Sequence, residues 1–102
     1  MLDVSSPHDA YPSRLNFGDG DYFLTREAID AATQNYLKDD ALVHDPRVSP
    51  IRAPSLAGAP PAYILVGACD PLRDEARAYA APFTHSCHSA YSAHRNVRKP
   101  VL

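Results

Sequence analysis

Tryptophan is absent from this chain of 102 residues; methionine occurs once, cysteine twice and glycine four times. Cys69 and Cys87 are too few for a disulfide framework. Such sparse usage points to a reducing compartment, and a cytoplasmic location is expected. The N-terminus, Met1-Leu2-Asp3-Val4-Ser5-Ser6-Pro7, has no basic region followed by an apolar core, so no signal peptide is read there. Charge of one sign is not in excess. Ten basic against twelve acidic residues give a net charge of -2, and no nucleic-acid or membrane-surface partner is expected. The longest apolar run, residues 62–68, is far short of the ~20 residues that span a bilayer. The length allows one small domain, which would bury only about 60–65% of its unfolded surface.

Proline is abundant, with ten residues. Pro7, Pro12 and the run Gly18-Asp19-Gly20-Asp21 punctuate the first part of the chain. No period of 2 or 3.6 survives across them, so this part reads as loop. The acids around Gly18 lack the alternating ligands and closing Glu of an EF-hand, and a solvated turn is the simpler reading.

A helix is expected next. Thr25 suits an N-cap, Glu27 falls in the positive first turn, and Leu24 and Ile29 have the spacing of a hydrophobic staple. Ile29, Ala32, Tyr36 and Leu37 share one face, and Asp39-Asp40 oppose the negative end, so the helix should stop near Lys38. Its narrow, Ala-rich face suits packing on a surface that is not obvious within the chain. Residues 44–61 are bounded by prolines that push their predecessors to extended geometry, predicting an ordered loop. His44 and Ser49 within it have no partners at a telling spacing, and both read as structural.

Tyr63-Ile64-Leu65-Val66 is continuously apolar, the pattern of a strand covered on both faces as in a parallel sheet. Residues 72–81 then read as a helix, with Leu72, Ala76, Tyr79 and Ala80 on one face, Arg73, Asp74 and Arg77 on the other, and Pro82 as its end. Strand, turn and helix make half of a βαβ unit, and catalytic groups gather at the carboxyl ends of such strands. Asp70 stands at that place. Two readings of it stay open on local chemistry. Asp70-Pro71 can cap the helix directly, or a start one turn later, with Asp74 and Glu75 in the first turn, leaves Asp70 free to orient a histidine.

The pattern Ser49-Pro50, Leu56-Ala57-Gly58-Ala59-Pro60-Pro61, the apolar run, then Asp70-Pro71-Leu72-Arg73-Asp74-Glu75 resembles the C-terminal part of the hormone-sensitive-lipase-like (fold-3) branch of the α/β-hydrolases. Tyr22-Phe23-Leu24-Thr25 and Asn35-Tyr36-Leu37 look like that family's cap-region helix. The resemblance covers most of residues 1–81. It implies an α/β fold class, specifically an incomplete α/β-hydrolase fold of cap-region helix, one buried parallel-type strand and a following helix. It also implies that Asp70 descends from the acid of a Ser-His-Asp triad acting on a carboxylic ester, without metal or organic cofactor.

Three parts of that family's machinery are missing from the sequence: the Gly-x-Ser-x-Gly elbow, the His-Gly-Gly oxyanion motif and a His-Gly-Phe after the helix. The expectation is therefore a catalytically incomplete esterase piece, inactive alone. The alternative is a non-catalytic binding or regulatory fragment docking on a full-length hydrolase or another protein that covers its apolar faces. Residues 82–102 change abruptly in composition, as a shifted reading frame, retained intron or alternative end would make them, and are expected to be a disordered tail. His85, Cys87, His88 and His94 only loosely fit zinc-ligand spacing, and no metal site is assigned. Without a histidine in reach, Asp70 should accept backbone N–H groups of residues 72 to 74.

Overall fold

Thr25 sets the start of the best-formed local element of the chain. In the computed structural model, which describes residues 1–84, its hydroxyl accepts the Ala28 N–H at 3.0 Å. Such a cap contributes about 1 kcal/mol. Helix α2 runs from there over Arg26–Tyr36 with Glu27 in its first turn, and the Leu37 N–H closes it on the Thr33 carbonyl. Ile29 and Leu37 are buried, whereas Ala32 and Tyr36, placed on the same face by the periodicity, are exposed. The apolar face is thus only partly covered.

The first part of the chain is not all loop. A 3-10 turn at His8–Ala10 leads into a short helix, α1, over Pro12–Phe17, with Pro12 in its first turn. Proline there needs no N–H partner and brings a helical φ. Apolar periodicity could not signal α1, because the residues that α1 buries are Ser13 and Arg14. Gly18 ends it. The Gly18 carbonyl accepts the Arg26 N–H at 2.9 Å, and Arg26 Nη1 caps the Arg14 and Leu15 carbonyls. A Cβ at Gly18 would collide with the Arg14 carbonyl oxygen of α1 and with the Arg26 side chain of α2, so glycine suits the point where the two helices meet.

Two 3-10 turns, Asp40–His44 and Pro50–Arg52, punctuate the following connection. Ser49 lies fully buried between them: its Oγ donates to the Val43 carbonyl at 2.6 Å and accepts the Val4 N–H at 2.9 Å. Its role there is structural.

The apolar run at 62–68 departs from expectation. It forms no strand, and no β-strand occurs among the described residues. Tyr63 is 72% exposed and Leu65 66%. The sequence carries the composition of a doubly covered strand, but pairing is non-local, and residues 1–84 supply neither a neighbouring strand nor a helix above it. Helix α3 spans Arg73–Thr84, so Pro82 lies inside it and does not end it. Proline is tolerated there because it sits in the last turn and removes a single terminal hydrogen bond.

The centre of the molecule is polar. Among the described residues only Ile29, Leu37 and Ala76 are buried hydrophobics, while Asp3, Ser13, Arg14, Ser49 and Glu75 are buried as well. Arg14 on α1 and Glu75 on α3 form an ion pair of 2.7 Å, with both side chains at least 98% shielded from solvent. Glu75 Oε2 also accepts the Asp3 N–H, and Arg14 Nη2 also donates to the Asp3 carbonyl. The Asp3 carboxylate accepts the Ser5 N–H, Ser5 hydroxyl and Ser6 N–H on one oxygen and the Tyr11 hydroxyl on the other.

Burial alone would raise the Asp3 carboxyl; the bonds from Ser5, Tyr11 and Ser6 outweigh it and hold the group well below the usual carboxylate range. Burial and the hydrogen bond to Asp3 push the Tyr11 phenol up to about 12.

Glu75→Gln leaves the Arg14 charge buried without a counter-ion. It should cost about 3–5 kcal/mol, read as a lowered urea midpoint or outright unfolding; a loss below about 1 kcal/mol would contradict the ion pair's role. The pH profile has two edges. The depressed Asp3 contributes stability present above the unfolded value of about 4, and loses it as pH falls from there toward the folded value. The raised Tyr11 contributes stability present below about 10, and loses it as pH climbs through about 12. Helicity followed from acid to alkali should therefore show a plateau between, falling at both ends; Asp3→Asn should weaken the acid edge, leaving the part that the lowered Asp74 carboxyl contributes.

Candidate functional site

Asp70 stands in the turn that joins the apolar run to α3. Its N–H donates to the Gly67 carbonyl at 3.3 Å, its carbonyl accepts the Arg73 N–H at 3.0 Å, and its Oδ1 accepts the Leu72 N–H at 2.8 Å. Both readings of the sequence are partly realised. The carboxylate makes a local turn with Leu72, as a capping aspartate would. The helix nevertheless begins at Arg73, with Asp74 and Glu75 in its first turn. Among the described residues Asp70 Oδ2 accepts no hydrogen bond, and neither His8 nor His44 bonds to Asp70. His85, Cys87, His88 and His94 lie outside the described residues.

Pro71, Arg73 and Asp74 fasten this turn in place. The Pro71 carbonyl accepts the Ser13 hydroxyl at 2.8 Å. The Asp74 N–H donates back to the same Ser13 Oγ, while Asp74 Oδ2 accepts the Ser13 N–H at 2.8 Å. Arg73 Nη1 reaches back to the Ala68 carbonyl at 2.9 Å, its Nε pairs with Asp74 Oδ1, and its guanidinium lies 5.1 Å over the Phe17 ring. The hydrogen bonds from Arg73 and Ser13, acting against burial, lower the Asp74 carboxyl. Arg73 and Asp74 therefore face α1 and the Asp70 turn.

Phe17 stacks edge-on against Tyr22 at 5.2 Å, which brings the loop before α2 beside the Asp70 turn. Residues 21–23 and 67–70 together line an open, largely apolar groove of about 470 Å³. Phe23 on its rim has φ 79°, the left-handed region, and is 99% exposed. A bulky residue in that conformation costs about 1–3 kcal/mol, and no packing of its ring offsets the strain. Sequence reasoning singled out Asp70 and its turn but did not place Ser13, Arg73 and Phe23 beside it. No local spacing signals them, since 57 positions separate Ser13 from Asp70.

Comparison with known proteins adds a second line of observation. Residues 1–96 match the family described as alpha/beta hydrolase fold. A carboxylic ester hydrolase, LipN, of Mycobacterium tuberculosis is 49% identical over 65 residues, covering 63% of this chain and 17% of its own length. An ethyl acetate hydrolase of Pseudomonas putida is 36% identical over 69 residues, covering 68% of this chain and 21% of its own. Among solved structures, an alpha/beta hydrolase enzyme from the metagenome of Lake Arreo superposes with a TM-score of 0.73 at 34% identity, over 91% of this chain and 28% of that one. A hyperthermophilic esterase of Pyrobaculum calidifontis gives 0.73 at 27% identity, over 92% and 29%. The chain spans about a fifth of the curated relatives it matches.

Phe23→Gly tests the backbone at the groove. Glycine adopts this φ without penalty, so the variant should be more stable than the parent by about 1 kcal/mol, whereas Phe23→Ala should not. Equal urea midpoints for the two variants would refute the strain.

Proposed function

The chain belongs to the alpha/beta hydrolase fold family, and from that membership we propose that it supplies the triad acid, Asp70, of a carboxylic-ester hydrolase. Its family is esterase-like, as the carboxylic ester hydrolase and ethyl acetate hydrolase it resembles indicate. The observation that carries the reading is the state of Asp70. One carboxylate oxygen is anchored to the Leu72 N–H, the other accepts no hydrogen bond among the described residues, and the residue lines the groove. A triad acid needs that arrangement: a fixed carboxylate with a free oxygen for an imidazole N–H.

In the reaction a serine hydroxyl attacks the ester carbonyl, and a histidine takes its proton and passes it to the leaving alkoxide. Asp70 holds that histidine in the productive tautomer and stabilises the imidazolium. The sequence contains no Gly-x-Ser-x-Gly elbow and no His-Gly-Gly, so those groups come from sequence beyond these residues. The exposed Tyr63 and Leu65 favour the same conclusion in physical terms, since an apolar run of this kind asks for a covering protein surface, such as the body of a hydrolase. The substrate in this proposal is a carboxylic ester; acyl-chain preference is set by parts of the site not present here.

On a short-chain chromogenic ester the chain alone should give no turnover above buffer. Turnover by the chain alone that disappears in Asp70→Asn would overturn the incomplete-site reading. When the chain is joined to the elbow-bearing part of such an enzyme, Asp70→Asn should lower kcat by about 10⁴, and a loss smaller than about tenfold would remove Asp70 from the triad.

A further inference from the structure

A second site lies away from Asp70, where the His8–Ala10 turn meets α1 and α2. A small cavity of about 100 Å³ there is bordered by the polar residues Asp3, Ser6, His8, Arg14, Asp30 and Thr33 and by apolar side chains between them. Most of their polar atoms are already occupied. Both Asp3 oxygens are taken by Ser5, Ser6 and Tyr11, and the Ser6 carbonyl accepts Arg14 Nη1. The Ser6 hydroxyl meets Arg52, and the Thr33 hydroxyl donates to the Ile29 carbonyl. Two buried atoms on the cavity residues have no partner among the described residues: Arg14 Nε and His8 Nδ1. The Arg14 side chain is 98% shielded from solvent, and its Nε is buried.

The chemistry of the two atoms is complementary. Arg14 Nε–H is only a donor. His8 Nε2 lies 2.9 Å from the Asp30 carboxylate, which accepts and cannot donate when ionised. The ring proton of a neutral His8 is therefore on Nε2, and Nδ1 is an acceptor. A buried donor and a buried acceptor on residues that border one small cavity suit a molecule that both accepts and donates. An anion would meet the carboxylates of Asp3 and Asp30, and a cation would meet the Arg14 guanidinium. Ionic ligands are thus disfavoured on both counts.

We propose that this cavity is a structural water site: water accepts from Arg14 Nε–H and donates to His8 Nδ1, directly or through a second water. About 100 Å³ leaves room for roughly three molecules at about 30 Å³ each, and two or more polar partners are what a buried water requires. The water completes the hydrogen bonding of the buried guanidinium and ties the His8 turn to α1 and, through Asp30, to α2. This inference is independent of the esterase reading and of Asp70.

Ring-nitrogen NMR of the isotopically labelled full chain, at mildly alkaline pH where imidazole is neutral, tests it. The expected result is His8 as the Nε2–H tautomer alone, with a resolved, exchange-protected Arg14 Nε–H that shows a magnetisation-transfer contact to water. A His8 Nδ1–H tautomer would overturn the proposal. So would an Arg14 Nε–H without contact to water, or random-coil resonances for both residues.

Discussion

A guanidinium shielded from bulk solvent governs the arrangement of residues 1–84. Desolvating Arg14 and Glu75 costs several kcal/mol per ion, and their mutual attraction repays this only when the remaining hydrogen-bonding groups are also met. The sequence meets most of them from one short stretch. Asp3 offers its N–H to Glu75 and its carbonyl to Arg14, and Tyr11 lies under the guanidinium at 5.0 Å while bonding the Asp3 carboxylate. A hydrophobic core tolerates sliding, whereas this set of bonds forms in one register only. The N-terminal segment, α1 and α3 are thereby fixed to one another although little apolar surface is buried between them.

That fixation reaches Asp70 through consecutive residues. Glu75 anchors α3 on Arg14, Asp74 and the Pro71 carbonyl clasp Ser13 from two sides, and Arg73 pulls the Ala68 carbonyl toward the helix. The turn at 67–70 is therefore held from both its ends, and the single bond from the Leu72 N–H then suffices to orient the carboxylate. The motif Asp-Pro-Leu-Arg-Asp-Glu reads as one turn carboxylate followed by its mounting. A change at Ser13, remote in sequence, acts on Asp70 as directly as a change at Arg73.

What could be read from the sequence follows the range of the physics involved. Helix α2 was legible because its cap, first-turn charge and apolar spacing lie within a dozen residues. Helix α1 was not, because Ser13 and Arg14 are buried for their hydrogen bonds, and a polar core has no hydrophobic period to detect. The segment 63–66 carries the composition of a covered strand, yet composition states a requirement for neighbours and does not supply them. Pro82 was read as a stop on local grounds, but the penalty of a proline depends on how many turns follow it, and here the helix is almost finished. Asp70 was placed correctly at the turn; its two local readings merged because an aspartate can bond the residue two ahead while the helix begins at the third.

The two kinds of surface in this chain therefore have different tasks. The polar network sets geometry with few apolar contacts, so the relative placement of α1, α3 and the Asp70 turn does not depend on how the apolar run is covered. The apolar run has the opposite character: Tyr63 and Leu65 face solvent and no backbone ladder holds them. Burial of such side chains yields about 1.5–3 kcal/mol each, so whatever surface covers them gains affinity from the run. The orientation of Asp70 is settled separately by the network. The mounting of the Asp70 carboxylate is thus built locally, independently of whatever surface covers the run. A substitution in the run should then leave the Asp70 turn intact, whereas one in the network should disturb it.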